Sequence, residues 1–366
     1  MRIAGRVVTP AGVLDHGEVE VSGDRIAAVR DHTLHSGHWI VPGFVDIHVH
    51  GGGGYTFTTG DPDEARAAAA FHLRHGTTTP LASLVSSPFE LMRDAAKAFA
   101  PLVADGLIGG IHFEGPYLSQ AQCGAQNPAY LRDPSVTELA SLIGTGEGAV
   151  RMVTVAPERP GALEAIELLV RNGIVAALGH TDATYEQTLA GIAAGATVGT
   201  HVFNGMRPPH HRHPGPVFAL LGTSTVVCEF VADGHHLHDG TLAFATAVTG
   251  PGRAALVTDA ISATGIDEGS YDLGGQTVLV SGGVARLAGN GAIAGSTLTM
   301  DAALRRMLAL GMSIVDASRM ASATPARAIG RTDIGAIAPG MRADLLELSE
   351  ELQILRVMRA GTWLSP

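Results

Sequence analysis

Residues 40–50 read IVPGFVDIHVH, an apolar run with a regular alternation inside it. Val45, Ile47 and Val49 take one set of positions, and Asp46, His48 and His50 take the other. Successive side chains of a β-strand point to opposite faces, so the two imidazoles aim the same way. Seven similar short runs follow: residues 77–84 (TTTPLASL), 108–114 (IGGIHFE), 150–156 (VRMVTVA), 174–180 (IVAALGH), 196–201 (ATVGTH), 226–232 (VVCEFVA) and 254–259 (AALVTD). Amphipathic helical stretches separate them, among them residues 61–75, 88–104 and 185–194. Strand–helix alternation implies an α/β fold with a parallel sheet. Eight such units in one chain imply closure into a (β/α)8 TIM-type barrel.

The chain ends read differently. Residues 1–38 (with GRVVTP and GEVEVSGDRIAAV) and residues 335–366 look like short antiparallel strands joined by turns. Neither end could bury an apolar face alone. Together, residues 1–40 plus 335–366 are expected to form one small, discontinuous β-sandwich domain. The barrel, residues 41–334, is then inserted between its halves. Residues 272–288 read as a hairpin inside the loop after the eighth run.

The chain has 366 residues, 46% apolar and 16% charged, enough for a large core. A net charge of −11 argues against nucleic acid or an anionic membrane as the main partner. No long unbroken apolar stretch predicts a membrane span, and no secretory signal opens the chain. A cytoplasmic location is therefore expected. Cys123 and Cys228 are the only cysteines, which does not suggest a disulfide framework.

Several runs finish on a metal-ligand or acid–base residue: His48 and His50, Glu114, His180, His201 and Asp259. In such a barrel the C-terminal strand ends converge on one mouth, where active sites form. Imidazole with carboxylate suits Zn²⁺ or another first-row divalent ion, whereas a protein-only Ca²⁺ or Mg²⁺ site would prefer oxygen ligands. Other histidines read more plainly. His72 and His75 fall on a helix as solvated residues, and His16, His32, His35 and His38 read as surface. His210, His211 and His213 form a polar loop cluster. Lys97, the only lysine, sits in the helical stretch FELMRDAAKAF.

The opening motif VPGFVDIHVHGGGG (41–54) and the closing motif GAIAPGMRADLLEL (335–348) resemble those of the amidohydrolase superfamily. Many dinuclear members of that superfamily bridge their metals with a carboxylated lysine. This chain has no lysine at a strand end, which leaves Glu114 as the oxygen ligand. HFEGPYLS (112–119), GHTDAT (179–184), THVFNGM (200–206), ADGHHLH (232–238), VTDAISATG (257–265) and AGSTLTM (294–300) follow in the order seen in N-acetylglucosamine-6-phosphate deacetylases. The resemblance covers essentially the whole chain.

That resemblance implies Glu114, His180 and His201 as the principal metal ligands. It implies His48 and His50 as the further pair with which some members hold a second ion. Asp259 matches the catalytic acid–base, and His236 the histidine beside the scissile acetamide. Asn204 and Gly205 match the pair holding the sugar phosphate, the second being usually alanine. Ala125, Gln126, Ile293 and Ala294 fall at other substrate-binding positions, and Gln126 stands where some relatives have histidine. Arg212 matches an arginine that reaches the phosphate bound by a neighbouring subunit of a homodimer. Cys123 falls in the same loop as Gln126 and reads as a small loop residue. The reaction implied is hydrolysis of N-acetyl-D-glucosamine 6-phosphate to D-glucosamine 6-phosphate and acetate, in amino-sugar catabolism and cell-wall recycling. The nearest alternatives are N-acetylgalactosamine 6-phosphate or a cyclic amide as substrate. An alternative from another class is a barrel without turnover that serves as an assembly module.

Overall fold

A computed structural model describes residues 1–31 and 37–364. The chain starts with an antiparallel meander of β1 (Arg2–Thr9), β2 (Gly12–Ser22) and β3 (Arg25–Asp31). β4 (Trp39–Pro42) pairs parallel with β1 and leads into β5 (Phe44–Val49), the first barrel strand. A small hairpin of β6 (Gly51–Gly52) and β7 (Tyr55–Thr56) follows. The other barrel strands are β8 (Thr77–Val85), β9 (Gly110–Glu114), β10 (Val150–Val155), β11 (Val175–Leu178), β12 (Val198–Gly199), β13 (Val227–Val231) and β14 (Ala254–Val257). They pair in chain order and in parallel, and each lies within one of the eight apolar runs except β8, which runs one residue past its run to Val85. The strands are buried along most of their length, as expected when helices cover a parallel sheet.

The helices fill the crossovers. α1 (Pro62–Arg74) precedes β8 and α2 (Phe89–Ala104) follows it. α3 (Val136–Thr145), α4 (Ala162–Arg171), α5 (Tyr185–Ala193), α6 (Gly215–Gly222) and α7 (Asp239–Thr249) follow β9 to β13 in turn. Their starts are written in the sequence. The Asp61 side chain accepts from the N–H groups of Asp63 and Glu64, with Pro62 in the first turn. Thr184 and Gln187 form a reciprocal capping box on α5.

Side chain and backbone together close the seam between β14 and β5. The Asp259 N–H donates to His48 O at 2.8 Å, and the His50 N–H to Ala260 O at 2.8 Å. The buried Asp46 carboxyl accepts from Thr258 Oγ1 at 2.6 Å and from the Thr258 N–H at 3.2 Å. Burial pushes the Asp46 pKa up to about 7 against these hydrogen bonds. This seam fixes Asp259 beside His48 and His50.

After β14 the chain makes β15 (Gly269–Leu273), β16 (Gln276–Ser281) and β17 (Val284–Leu287). This is a three-stranded meander where a hairpin was expected. Leu273, Val278, Ala285 and Ala294 pack under it against Val85 and Ile261, so the third strand completes a small core over the barrel mouth. α8 (Met300–Ala309), α9 (Ile314–Ala321) and α10 (Ala323–Ala328) complete the outer ring.

The chain returns through β18 (Leu345–Leu348), β19 (Ile354–Arg359) and β20 (Thr362–Trp363). These join the first four strands in one seven-stranded sheet of order β20-β19-β18-β4-β1-β2-β3. The sheet curls over. The Ala343 N–H reaches Asp24 O at 2.8 Å, and the Ile26 N–H reaches Met341 O at 2.9 Å. Ile3, Val7, Val19, Ile40, Leu345 and Met358, from both ends of the chain, meet in a cluster separate from the barrel core.

His72 differs from its solvated expectation. It is fully buried, its Nε2 contacts Gly51 O at 2.8 Å, and burial pushes its pKa down to about 4. Helical periodicity places it on the inner face of α1, against the loop that follows His50. His75 is half-buried and pairs with Asp301 at 3.3 Å. His38 is half-buried and meets Glu347 at 2.8 Å, while His16 is exposed. His32 and His35 lie outside the described residues. No helix among the described residues is long and apolar enough to cross a membrane.

Candidate active site

His48, His50, Glu114, His180, His201 and Asp259 meet at the C-terminal mouth, and each is between 0% and 6% exposed. His180, His201 and Asp259 sit just past their strands with positive φ of 45°, 25° and 50°. Left-handed backbone at a non-glycine residue costs about 1–3 kcal/mol and is retained where the surroundings hold it. Here each strand end turns sharply, with the side chain at the mouth.

Glu114 is the hub. Its Oε1 lies 3.0 Å from His180 Nε2 and 2.9 Å from His201 Nε2. Its Oε2 lies 3.3 Å from His50 Nε2, and its Oε1 lies 3.5 Å from His48 Nε2. The donor atoms fall into two groups, Glu114–His180–His201 and His48–His50–Glu114, each compact enough to hold a metal ion. The chemistry of the donors fits a cation. His180 Nδ1 donates to Gln122 O at 2.9 Å, and His50 Nδ1 donates to Ser83 O at 3.1 Å. In the neutral rings those bonds leave Nε2 as a bare lone pair. Yet His180 Nε2 faces His201 Nε2 at 3.1 Å, and His50 Nε2 faces His48 Nε2 at 3.1 Å. Nitrogens aimed at one another and at a shared carboxylate call for positive charge between them.

The electrostatics agree. Burial alone would push the His48, His50 and His180 pKa values down, but the carboxylates outweigh it and all three rise, His50 to about 9. Burial likewise pushes the two carboxyls up, and the surrounding imidazoles more than reverse it. Glu114 is held well below its usual range and Asp259 at about 2.

A cavity of about 270 Å³ opens above this floor. Asn204 and Gly205 line one side and His236 another, while Val85, Leu273 and Ile293 give an apolar wall. Ala125 and Gln126 also reach the surface of the cavity. Gln126 is turned toward the floor: its Nε2 donates to Glu114 Oε2 at 2.6 Å, and its Oε1 accepts from the Ser86 N–H at 2.7 Å. At Gly205 (φ +58°) a Cβ would stand 2.7 Å from His180 Nδ1, so a side chain there would have to displace that ring. His236 Nδ1 contacts Asp233 Oδ2 at 2.7 Å, and its Nε2 lies 3.9 Å from Asp259 Oδ2. Burial lowers the His236 pKa, but hydrogen bonding and charge at Asp233 outweigh it and raise it overall.

Two expected contacts lie elsewhere in the single chain. Ala294 is fully buried behind the wall, and its N–H is taken by Ala285 O at 3.0 Å. Arg212 is exposed on the loop before α6, where it contacts His211 at 2.9 Å and lines a separate depression with Tyr185 and Arg207. Cys123 is half-buried beside the cavity loop, and both cysteines are free.

The sequence reading missed the residues beneath the floor. Glu229, Asp233, Ser83 and His112 hold the histidines or brace the barrel interior. One signal was available: Glu229 is the only charged residue inside the apolar run VVCEFVA. A carboxylate buried in a strand normally has partners.

The comparisons fit this geometry. The family model for the amidohydrolase family matches residues 39–364. The N-acetylgalactosamine-6-phosphate deacetylase of Escherichia coli O157:H7 is 36% identical over 98% of this chain and 97% of its own. A mutant N-acetyl-D-glucosamine-6-phosphate deacetylase from Mycobacterium smegmatis has been solved in complex with N-acetyl-D-glucosamine-6-phosphate. It matches with TM-score 0.96 and 45% identity, over 99% of this chain and 98% of that one. The N-acetylglucosamine-6-phosphate deacetylase from Thermotoga maritima gives TM-score 0.93 at 32% identity, over 99% of each chain. From strand-end ligands to curled end sheet, this chain belongs to the N-acetylglucosamine-6-phosphate deacetylase family of amidohydrolases.

Proposed function

We propose that this chain hydrolyses N-acetyl-D-glucosamine 6-phosphate to D-glucosamine 6-phosphate and acetate, as a homodimer using one or two Zn²⁺ ions per subunit. The observation that carries the reading is the convergence of Glu114, His180 and His201 with Asp259 and His236 on one cavity. Glu114, His180 and His201 would hold the principal ion, and His48 with His50 a second. A divalent ion bound there supplies a Lewis acid that brings the pKa of water from 15.7 to about 7.

The chain's own groups carry the proton transfers. Asp259 is ionised at neutral pH, held at about 2 by the imidazoles despite its burial. It takes a proton from the attacking water and delivers it to the departing amine. His236 acts as the imidazolium that Asp233 favours: Nδ1–H donates to Asp233, and Nε2–H donates to the acetyl oxygen and stabilises the charge that develops there. The wall of Val85, Leu273 and Ile293 receives the acetyl methyl group. Asn204 and Gly205 take the phosphate end. Arg212 of a second subunit completes that end, with the guanidinium fork that suits phosphate oxygens.

The 36% identity to an N-acetylgalactosamine-6-phosphate deacetylase supports the 4-epimer as the second substrate to test. The assay measures acetate release from both phosphorylated epimers and from unphosphorylated N-acetylglucosamine. Fast turnover of N-acetylglucosamine 6-phosphate, with little of the unphosphorylated sugar, is expected. A preference for the galacto epimer would reassign the substrate, and no acetate from any of them would overturn the reading.

A further inference from the structure

We propose that Glu229 is a positioning residue that ties the two metal-ligand groups together and governs retention of the second ion. It rests on the metal reading above and adds a residue that neither ligand group contains.

Glu229 lies in the middle of β13 and is 0% exposed. Its Oε2 accepts from His48 Nδ1 at 3.0 Å and from the His201 backbone N–H at 3.1 Å. One oxygen therefore holds a ligand of one group and the backbone of a ligand of the other. The bond from His48 Nδ1 fixes that ring's tautomer. It leaves Nε2 as the lone-pair nitrogen, 3.1 Å from His50 Nε2 and 3.6 Å from Asp259 Oδ1. His48 has no other hydrogen bond to that Nδ1 among the described residues. Oε1 of Glu229 has no hydrogen-bond partner among the described residues.

Two buried donors rest on this side chain, but satisfying them needs an acceptor oxygen and not a charge. Cys228 and Phe230 flank it in a buried strand, and a neutral amide would serve both donors without the desolvation of a charge that leaves one oxygen unpartnered. Carboxylates behind metal-bound imidazoles orient the ring and raise its basicity, and their loss typically weakens metal affinity about 10–100-fold. Glu229 has that relation to His48 through a side-chain bond, and to His201 only through the backbone. Its loss should therefore fall mainly on the second ion.

The test titrates chelator-stripped full-length protein with Zn²⁺, by competition against a chromophoric chelator, and counts bound ions by elemental analysis. Wild type should take two ions. Glu229→Leu should weaken the second by about 100-fold, and Glu229→Gln, which keeps an acceptor oxygen, by about tenfold, with the first ion unchanged. If the leucine variant fails to fold, the glutamine variant decides. In a His48→Ala background, Glu229→Gln should change metal binding no further. A purely structural role predicts a lower Tm with the second-ion Kd unchanged, or both ions weakened in proportion. Either result overturns the proposal, as does a wild type that takes only one ion at saturating Zn²⁺. The deacetylase reading fails separately, only if the wild type releases no acetate.

Discussion

The barrel mouth and the chain-end sheet are both assembled from segments far apart in sequence, but they are held in different ways. At the mouth, six side chains from five strand ends meet through imidazole–carboxylate contacts of about 3 Å, as between Glu114 and His201. In the end sheet, backbone ladders do the joining: β18 pairs with β4, and β4 with β1. The difference predicts different failures. The mouth should lose its chemistry through a change of one or two atoms while the fold stands. The end sheet should tolerate point changes and fail when a strand is removed.

Deleting residues 1–38 is the largest perturbation. We propose that residues 1–40 and 335–366 act as one domain, with β4 running two residues past that boundary, to Pro42. Without β1 to β3, the edge of β4 is unpaired and Leu345 and Met358 lose the apolar surface that covers them. The expected result is loss of soluble protein, measured by expression and size-exclusion chromatography. A soluble, fully active truncation would break the comparison.

Asp259→Asn is the converse. Turnover should fall by about 10²-fold or more, with Tm and most of the metal retained. Near-normal turnover would remove Asp259 from its role. The smallest effect is expected at the rim. Arg212→Ala should raise the KM for the phosphorylated sugar by about tenfold and leave unphosphorylated sugar little changed, the scale of one charge-assisted hydrogen bond. Subunit mixing sharpens this. Asp259→Asn and Arg212→Ala chains, exchanged at random, should form about half hybrids with one intact site each, so about a quarter of all sites recover. No recovery in proven hybrids would place Arg212 outside its neighbour's pocket.

The sequence made some parts of the molecule far more legible than others. Strand ends were readable because an apolar run finishing on His180, His201 or Asp259 states both an element and its function. The end sheet was readable as strands but not as an order, because ladder partners such as Leu345 and Pro42 carry no mark of each other. The third strand of the meander was hidden because VARL is too short to show a period. Glu229 and His72 escaped for a related reason. Their partners, His48 and Gly51, are neighbours only after the barrel closes. The inward turn of Gln126 onto Glu114 follows from loop geometry that composition does not encode.

The most direct test measures turnover of N-acetylglucosamine 6-phosphate and metal content on one preparation each of wild type and Glu114→Gln. Glu114 touches His48, His50, His180 and His201, so its amide should leave neither ion firmly held. The account predicts wild-type acetate release with bound divalent metal, and a folded Glu114→Gln protein that has lost both. Full metal content and activity in Glu114→Gln would contradict it.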